Sequence, residues 1–434
     1  MGNVNRTKVC IIGAGPAGLM AAIHSAASRV ETVVIEANAN AGRKLLLTGG
    51  GRCNFTHVAT TEELVKAFRA TAGFAQTSGS KGRFLRHGFY QFPPESVQQF
   101  FQKNGLKSKV EDNGCVFPVT DRADDIRDIL LTEAKKLGVR FIFSAKAKSI
   151  TKQGKYFTIE FNPSPYRRRL NVDHTEKVII TTGGLSFPET GSAGDGYKFA
   201  QSFGHTIIEP RPSLVPLVTL EGWPNELAGI SLDNVKISTA IGKKKIITTG
   251  AMLFTHDGIG GPAVLELSRF VTDFLPNEKN PLKISIDLVA VSSLAELEKM
   301  ILKQVSEHPK KTVTNILVEI VPRQISQVLC RQLDLPENLF AGQLSRGLRR
   351  KLLQLIKAMP LSIVRTRPIA EAMVTRGGVS TAEIEPKTME SKICPGLFFA
   401  GEVIDVDGPC GGYNLQMCWS TGALAGLSAA QKVS

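Results

Sequence analysis

Residues 9 to 36 read VCIIGAGPAGLMAAIHSAASRVETVVIE, and the fold follows from the order of what they contain. An apolar run, Val9 to Ile12, enters a turn carrying Gly13, Ala14, Gly15, Pro16, Ala17 and Gly18. An amphipathic helix is expected from Ala17 to Ser28, then a second apolar run, Thr32 to Ile35, ending in Glu36 and Ala37. Strand, glycine turn, helix, strand and acid form the context in which GxGxxG denotes a dinucleotide site. Gly13 allows the tight turn, Gly15 leaves room for a pyrophosphate, and Gly18 lets helix and strand approach. The helix N-terminus adds roughly half a positive charge toward the pyrophosphate. Glu36 stands where a carboxylate accepts from both hydroxyls of an adenosine ribose. NAD and FAD both satisfy this stretch.

The chain has 434 residues, enough for two or three domains, and its 42% hydrophobic and 21% charged residues are those of a globular protein. No apolar run reaches bilayer length and no signal-peptide pattern precedes Val9, so a cytoplasmic protein is expected. The opening Met-Gly lacks the Ser or Thr of a myristoylation start, since Arg6 stands there. Seven cysteines without a CxxC pair argue against a disulfide framework and against a metal site. The formal net charge of +14 suits a polyanionic partner such as RNA, or simply a basic solvated surface.

Beyond Glu36 comes a loop dense in glycine and cations: Arg43, Lys44, then Gly49, Gly50, Gly51, Arg52, Cys53 and Asn54. Successive glycines expose backbone N–H groups, and flanking cations compensate phosphate charge. Residues 60 to 111 read as helices, one of them opened by Pro93 and Pro94. A hairpin turn at Asp112 to Gly114, a helix over Asp121 to Leu137 and a returning strand at Val139 to Phe143 follow. An antiparallel excursion over Ile150 to Phe161 leads to a strand, Val178 to Thr182, that closes the nucleotide fold in Thr182, Gly183 and Gly184.

From His205 the texture becomes that of a small antiparallel barrel. His256 lies there in a glycine-rich turn and is read either as a substrate or flavin contact or as a local capping group. Residues 292 to 358 are helical by period, and Arg346, Arg349, Arg350, Lys351 and Lys357 crowd one helix. With Arg167 to Arg169 and Lys243 to Lys245 these are the most RNA-like clusters. The last seventy residues return to sheet and glycine turns: a strand, Leu397 to Ala400, delivers Gly401 and Glu402, and a turn at Gly411 and Gly412 opens a helix at Tyr413. In FAD proteins an acid after such a strand holds the ribityl or pyrophosphate edge, a role for which Asp405 and Asp407 compete with Glu402. The helix dipole then faces reduced flavin. Both ends of the chain together point to FAD.

The segments GAGPAG (13 to 18), GRKLLLTGGGRCNFT (42 to 56), TTGGLSFPETGSAGDGY (181 to 197), LFTHDGIGGPA (253 to 263), TRGGVS (375 to 380) and GEVIDVDGPCGGYNLQ (401 to 416) resemble, in order and over almost the full length, the bacterial BaiN/RdsA-like (aminoacetone oxidase-like) FAD-dependent oxidoreductases. The resemblance implies an α/β fold: a discontinuous glutathione-reductase-like FAD-binding Rossmann domain (1–200 and 360–434) with an inserted β-barrel (205–290) and helical subdomain (291–358). It places Gly13 to Gly18 and Glu36 on ADP, and Arg43, Lys44, Gly51, Arg52, Cys53 and Asn54 beside pyrophosphate and isoalloxazine. Ala147 would offer backbone to adenine, while Gly401, Glu402, Gly412, Tyr413, Asn414 and Leu415 would close over the flavin. Cys410 stands where many relatives carry Thr.

RdsA-type members reduce a uridine of 23S ribosomal RNA to dihydrouridine, whereas BaiN-type members are linked to reductive bile-acid dehydroxylation. The charge favours RNA. The expected chemistry is hydride transfer from FAD, reduced by NADH or NADPH, to uracil C6, with protonation at C5 by Cys53, Cys410 or His256. The rival readings are a reductase or oxidase of a small metabolite, and a flavin-bearing RNA-binding or redox-sensing module.

Overall fold

A computed structural model describes residues 7–68, 81–161, 171–275, 280–290 and 292–431, and Arg167 to Arg169 lie outside them. The chain divides into two compact units, one built from residues up to Ser213 and from Ile369 onward, the other Leu214–Pro368.

The first unit begins with β1 (Thr7–Ile12), α1 (Pro16–Ala27) and β2 (Thr32–Ile35). Both strands are apolar without alternation because they run parallel, covered on both faces. Next comes a cap of β3 (Thr56–His57), α2 (Thr61–Ala67), α3 (Lys81–Gln91), α4 (Pro94–Lys103), β4 (Ser108–Val110) and β5 (Cys115–Pro118). Helix α2 starts in a capping box of Thr60 and Glu63. After α5 (Ala123–Lys136), β6 (Arg140–Ile142) adds to β2, and β7 (Ala147–Gln153), β8 (Tyr156–Phe161) and β9 (Asn171–Ile180) complete the meander. Strand β9 lies parallel to β1, so the sheet order is β6-β2-β1-β9-β8-β7. Helix α6 (Asp195–Ser202) and β10 (Ile207–Ser213) end this part.

The second unit is a closed barrel of β11 (Leu217–Thr219), β12 (Ser231–Ile241), β13 (Lys244–Thr255), β14 (Gly258–Gly260), and, after α7 (Pro262–Val271), β15 (Leu282–Asp287). Helices α8 (Leu294–Glu307), α9 (Val313–Leu317), α10 (Arg323–Gln332) and α11 (Arg346–Lys357) then leave the barrel, which β16 (Met359–Thr366) closes between β15 and β11. Two expected boundaries therefore move. The helices form an excursion between two adjacent barrel strands, and residues 360–366 belong to the barrel, because Leu361 and Ile363 supply buried side chains to it. Strand β10 belongs instead to the first unit, paired antiparallel with β17 (Val374–Val379).

The chain returns to the first sheet through β18 (Leu397–Phe399), parallel to β9, and ends in α12 (Tyr413–Gln431). Helix α12 lies on α1 with almost no space between the backbones. A Cβ at Gly422 would sit 2.4 Å from the Ala17 carbonyl oxygen, and one at Gly426 only 2.2 Å from that of Ala21. Small residues on both helices thus set their separation. Replacing Gly426 by Ala is expected to push the helices apart and cost about 1–3 kcal/mol, seen as a lower denaturation midpoint with an unchanged m-value.

Candidate functional site

The glycine turn after β1 separates into packing glycines and a ligand glycine. A Cβ at Gly13, whose φ is +105°, would lie 2.7 Å from the Thr181 carbonyl oxygen, and one at Gly18 would lie 2.0 Å from that of Gly13. A Cβ at Gly15 would meet no atom within 4 Å. Gly15 is also the N-cap of α1, which has no side-chain cap and no acid in its first turn. An open glycine at an uncapped helix N-terminus is a place for an anion. Thr181, which the sequence reading gave no role of its own, ties this turn down by donating from Oγ1 to the carbonyls of Ile12 and Gly13, each at 2.9 Å.

Glu36 follows β2 and is buried. Its Oε2 accepts from the Ala14 N–H at 2.7 Å, and its Oε1 from the N–H and Nδ2 of Asn38 at 2.8 and 2.7 Å. Of about four acceptor positions on a carboxylate, one is left, so Glu36 has room for one ribose hydroxyl rather than the two expected. Ser144 and Ala145 donate backbone N–H groups to the carbonyls of Asn38 and Glu36, at 2.9 Å each. Ala147 stands two residues further on, buried and paired with Phe161. Ala37 is exposed at the turn.

In the cationic loop, Gly50 is exposed with φ +67° and nothing within 4 Å of a Cβ, and Gly51 is nearly as open. The cations around them divide. Arg43 is exposed and donates from Nη1 to Asn38 Oδ1 at 2.8 Å. Arg52 is held by Glu111 at 2.5 Å and Asp121 at 2.9 Å and lies 4.0 Å over the Phe117 ring. Its charge is met by two carboxylates, so at the edge of this loop it brings no uncompensated cation to the pyrophosphate and isoalloxazine side on which it was expected. Cys53 occupies the left-handed region at φ +58°, is fully buried, and burial pushes its thiol up to about 12. A thiol with no exposed face is not placed to protonate a substrate, so Cys53 falls as the proton donor. With its amide oriented to satisfy both neighbours, Asn54 donates to the Thr56 carbonyl at 2.8 Å and accepts from the Gly412 N–H at 3.2 Å.

Lys44 and Glu402 form the central ion pair. Lys44 Nζ donates to Glu402 at 2.7 Å and to Ser186 Oγ at 2.5 Å, while Ser186 Oγ and the Thr375 N–H both donate to Glu402 Oε1 at 2.8 Å. Burial alone would raise the Glu402 carboxyl, but Lys44, Thr375 and Ser186 hold it below the ordinary carboxylate value. Glu402 thereby joins four separate parts of the chain, leaving the cofactor edge to the groups it positions. Asp405 and Asp407 are buried too. Lys81 Nζ lies 2.7 Å from Asp405 and 3.8 Å from Asp407, Arg376 Nε lies 3.5 Å from Asp407, and Ser213 Oγ donates to Asp407 at 2.8 Å. Asp407 has no exposed side-chain surface and is corrected from cofactor ligand to a member of this ionic cluster.

At the other end of the site, Asn414 holds its own turn, accepting from the Gly408 N–H at 2.8 Å and donating to the carbonyls of Gly408 and Pro409. Gly412 lets that turn touch β3, where a Cβ would fall 2.4 Å from the Thr56 carbonyl oxygen. Gly183, Gly184 and Gly401 likewise allow close approach by Ser192, Thr375 and Ala17 respectively. Thr182 Oγ1 and the phenol of Tyr197 are buried without a hydrogen-bond partner. Tyr413 and Leu415 are half-buried in the first turn of α12, which contains no acid. His57, which no motif announced, stacks on Tyr413 with centroids 4.6 Å apart and lies 2.9 Å from the Gly411 carbonyl oxygen through Nδ1. Burial lowers its pKa. Cys410 is half-buried in the same turn. His256 is exposed in the β13–β14 hairpin of the other unit.

Open Gly15, the bare α1 N-terminus and the remaining acceptor of Glu36 fit the adenosine diphosphate half of FAD, with Gly50, Gly51 and the α12 turn available to the rest. Fold and site define a Rossmann-type flavoprotein of the oxidoreductase class. The profile described as "HI0933-like protein Rossmann domain" matches residues 7–428, and the chain belongs to that family. It is 30% identical to a 3-dehydro-bile acid delta(4,6)-reductase of Clostridium scindens over 98% of this chain and 99% of that one. It is also 31% identical to a ribosomal RNA dihydrouridine synthase of Haemophilus influenzae, over 96% and 97% respectively. Among solved structures, a 3-ketosteroid-delta4-(5alpha)-dehydrogenase from Rhodococcus jostii shares the fold, with a TM-score of 0.52 at 16% identity, covering 98% of this chain and 97% of that one. Among the described residues no helix is long and apolar enough to cross a membrane.

Two tests follow from the geometry. Gly15→Ala should fold with a near wild-type melting temperature but purify without flavin absorbance, whereas Gly18→Ala should melt earlier because its Cβ collides with backbone. For Glu402, the depressed pKa means that its stabilisation is present above about pH 4.5 and lost as pH falls through the folded value. Glu402→Gln should therefore cost about 3 kcal/mol near neutrality, and the gap from wild type in denaturant titrations should narrow in acid.

Proposed function

We propose that the protein is an FAD-dependent reductase of an RNA base, converting a uridine of ribosomal RNA to dihydrouridine, with NADH or NADPH as the transient reductant. The observation that carries this reading is the distribution of charge in the second unit. Between residues 308 and 368 stand eleven Lys and Arg against three Asp and Glu, whereas 214–307 holds nine against eleven. Such an excess attracts phosphates by counterion release, and a bile-acid carboxylate needs one cation. Relatives named for RNA modification that match nearly the whole chain are consistent with it.

When bound, FAD supplies the two-electron chemistry. Gly15 and the α1 N-terminus receive the pyrophosphate, and Glu36 orients the ribose. Lys44 is neutralised by Glu402, so it fixes the loop without adding net charge of its own, and Arg43 is the cation the loop presents. The α12 N-terminus, held by Asn54 and Asn414, offers its dipole to negative charge. The proton for the substrate carbon is assigned to Cys410 Sγ: it is half-buried in the turn before α12, whereas Cys53 is fully buried. His256 is not assigned a part in the reaction.

A small-molecule reductase is the second reading, favoured by the equally complete match to the bile-acid enzyme. Mass-spectrometric mapping of ribosomal RNA from cells with and without the gene separates the two. Deletion should remove one dihydrouridine, wild type should restore it, and Cys410→Ser should restore it about 100-fold more slowly or worse while retaining flavin. An unchanged map on deletion would overturn the RNA reading.

A further inference from the structure

We propose that the start of α11, with the two short segments beside it, is the surface on which the second unit grips an unpaired stretch of RNA, Phe340 stacking on a base and the surrounding cations taking phosphates. The proposal rests on the RNA reading above and adds its docking site.

The surface is assembled by backbone pairing. Thr312 and Phe340 form an antiparallel bridge, the Ala341 N–H donates to the Lys311 carbonyl at 2.8 Å, and the Gly342 N–H donates to the Pro309 carbonyl at 3.0 Å. Lys310 and Lys311 are thereby placed beside the Phe340–Ser345 segment, which ends in the N-cap of α11. Phe340 is 46% exposed, a large aromatic surface with no packing reason to face water.

The cations of α11 sort by role. Arg349 is drawn to Glu298 at 3.5 Å, and Lys357 binds Asp287 at 2.6 Å and the carbonyls of Val289 and Ser292, so both are structural. Arg346, Arg350 and Lys351 are exposed and make no ion pair or side-chain hydrogen bond with any described residue, and the same holds for Lys310 and Lys311. Arg346 and Arg350 stand one turn apart. Leu352, Leu353 and Ile356 occupy the buried face, so the helix folds without help from these charges. The first turn of α11 contains no acid and begins with Arg346, which opposes the helix dipole. A cation kept where it disfavours the helix, among neighbouring cations that meet no carboxylate of the described residues, is complementary to an external anion. An exposed aromatic among them suits unpaired nucleic acid, whose bases have open faces.

The test uses the full chain with its flavin bound, a labelled single-stranded RNA oligomer and a salt series. In the triple variant Arg346→Gln, Arg350→Gln, Lys351→Gln, the slope of log affinity against log salt should fall by about 2, at roughly 0.7 for each phosphate no longer neutralised. Affinity at low salt should drop on the order of 100-fold. In Phe340→Ala, affinity should fall roughly tenfold at every salt concentration with the slope unchanged, since stacking is not electrostatic. The melting temperature of the triple variant should stay level or rise, which separates weaker RNA binding from impaired folding.

Wild-type slope and affinity in the triple variant overturn this surface while leaving the RNA reaction standing. RNA binding abolished in the variants, with an unchanged modification map on gene deletion, keeps the surface and overturns the reaction. Preference of the wild type for anionic phosphatidylserine vesicles over RNA overturns the proposal in favour of a membrane-facing patch.

Discussion

The packing of α12 against α1, made at van der Waals limits through Gly422 and Gly426, is the constraint on which the nucleotide-binding unit depends. It brings the last helix of the chain onto the first, beside a sheet in which β18 from the C-terminal part extends β9. The glycine turn at one end of the sequence and the Gly411–Gly412 turn at the other thereby become parts of a single unit. A larger side chain at either glycine would require the backbones to separate, and the turns with them.

The Lys44–Glu402 pair performs the same joining by electrostatics. Lys44 comes from the cationic loop, Ser186 from the segment after β9, Thr375 from β17, and Glu402 from the end of β18. Its members are partly buried, so the pair holds its shape best when every lone pair and proton has a partner. Three of about four acceptor positions on Glu402 and two of the three Lys44 protons have partners. The nearby cluster of Lys81, Asp405, Asp407 and Arg376 does for β10, β17 and the α3 start what Glu402 does for the loop. The acids after β18 therefore shape the site from behind, and the open positions at its surface are backbone ones.

Much of this unit was legible in the sequence because its signals are local. A strand, a helix and their glycine turn are each encoded within about thirty residues, and their spacing carries the nucleotide site with it. The strand at Leu397, the final helix, the hairpin at Asp112 to Gly114 and the meander over Ile150 to Phe161 were readable for the same reason. Side-chain roles were less so. Arg52, Asp407 and Cys53 have the chemistry of ligands, yet the first is met by Glu111 and Asp121, the second by Ser213 and Arg376, and the third is sealed in the core. None of those partners is near in sequence. His57 and Thr181 were missed for the converse reason: His57 follows one recognisable segment and Thr181 opens another, but only the approach of Tyr413 and of the Gly13 turn makes them part of the site.

The sequence by itself determined the class of fold and the half of the site that a single βαβ unit builds, since periodicity and turn chemistry act over short distances. Tertiary structure decided which glycines are open and which are crowded: Gly13, Gly412, Gly422 and Gly426 meet backbone arriving from roughly 170 to 400 residues away, while Gly18 is crowded by the Gly13 carbonyl within its own turn. It also decided that the basic helix lies on an excursion from a closed barrel, with Leu361 and Ile363 of β16 completing that barrel. Burial and pairing across the chain separated the cations that hold the protein together from those left facing solvent.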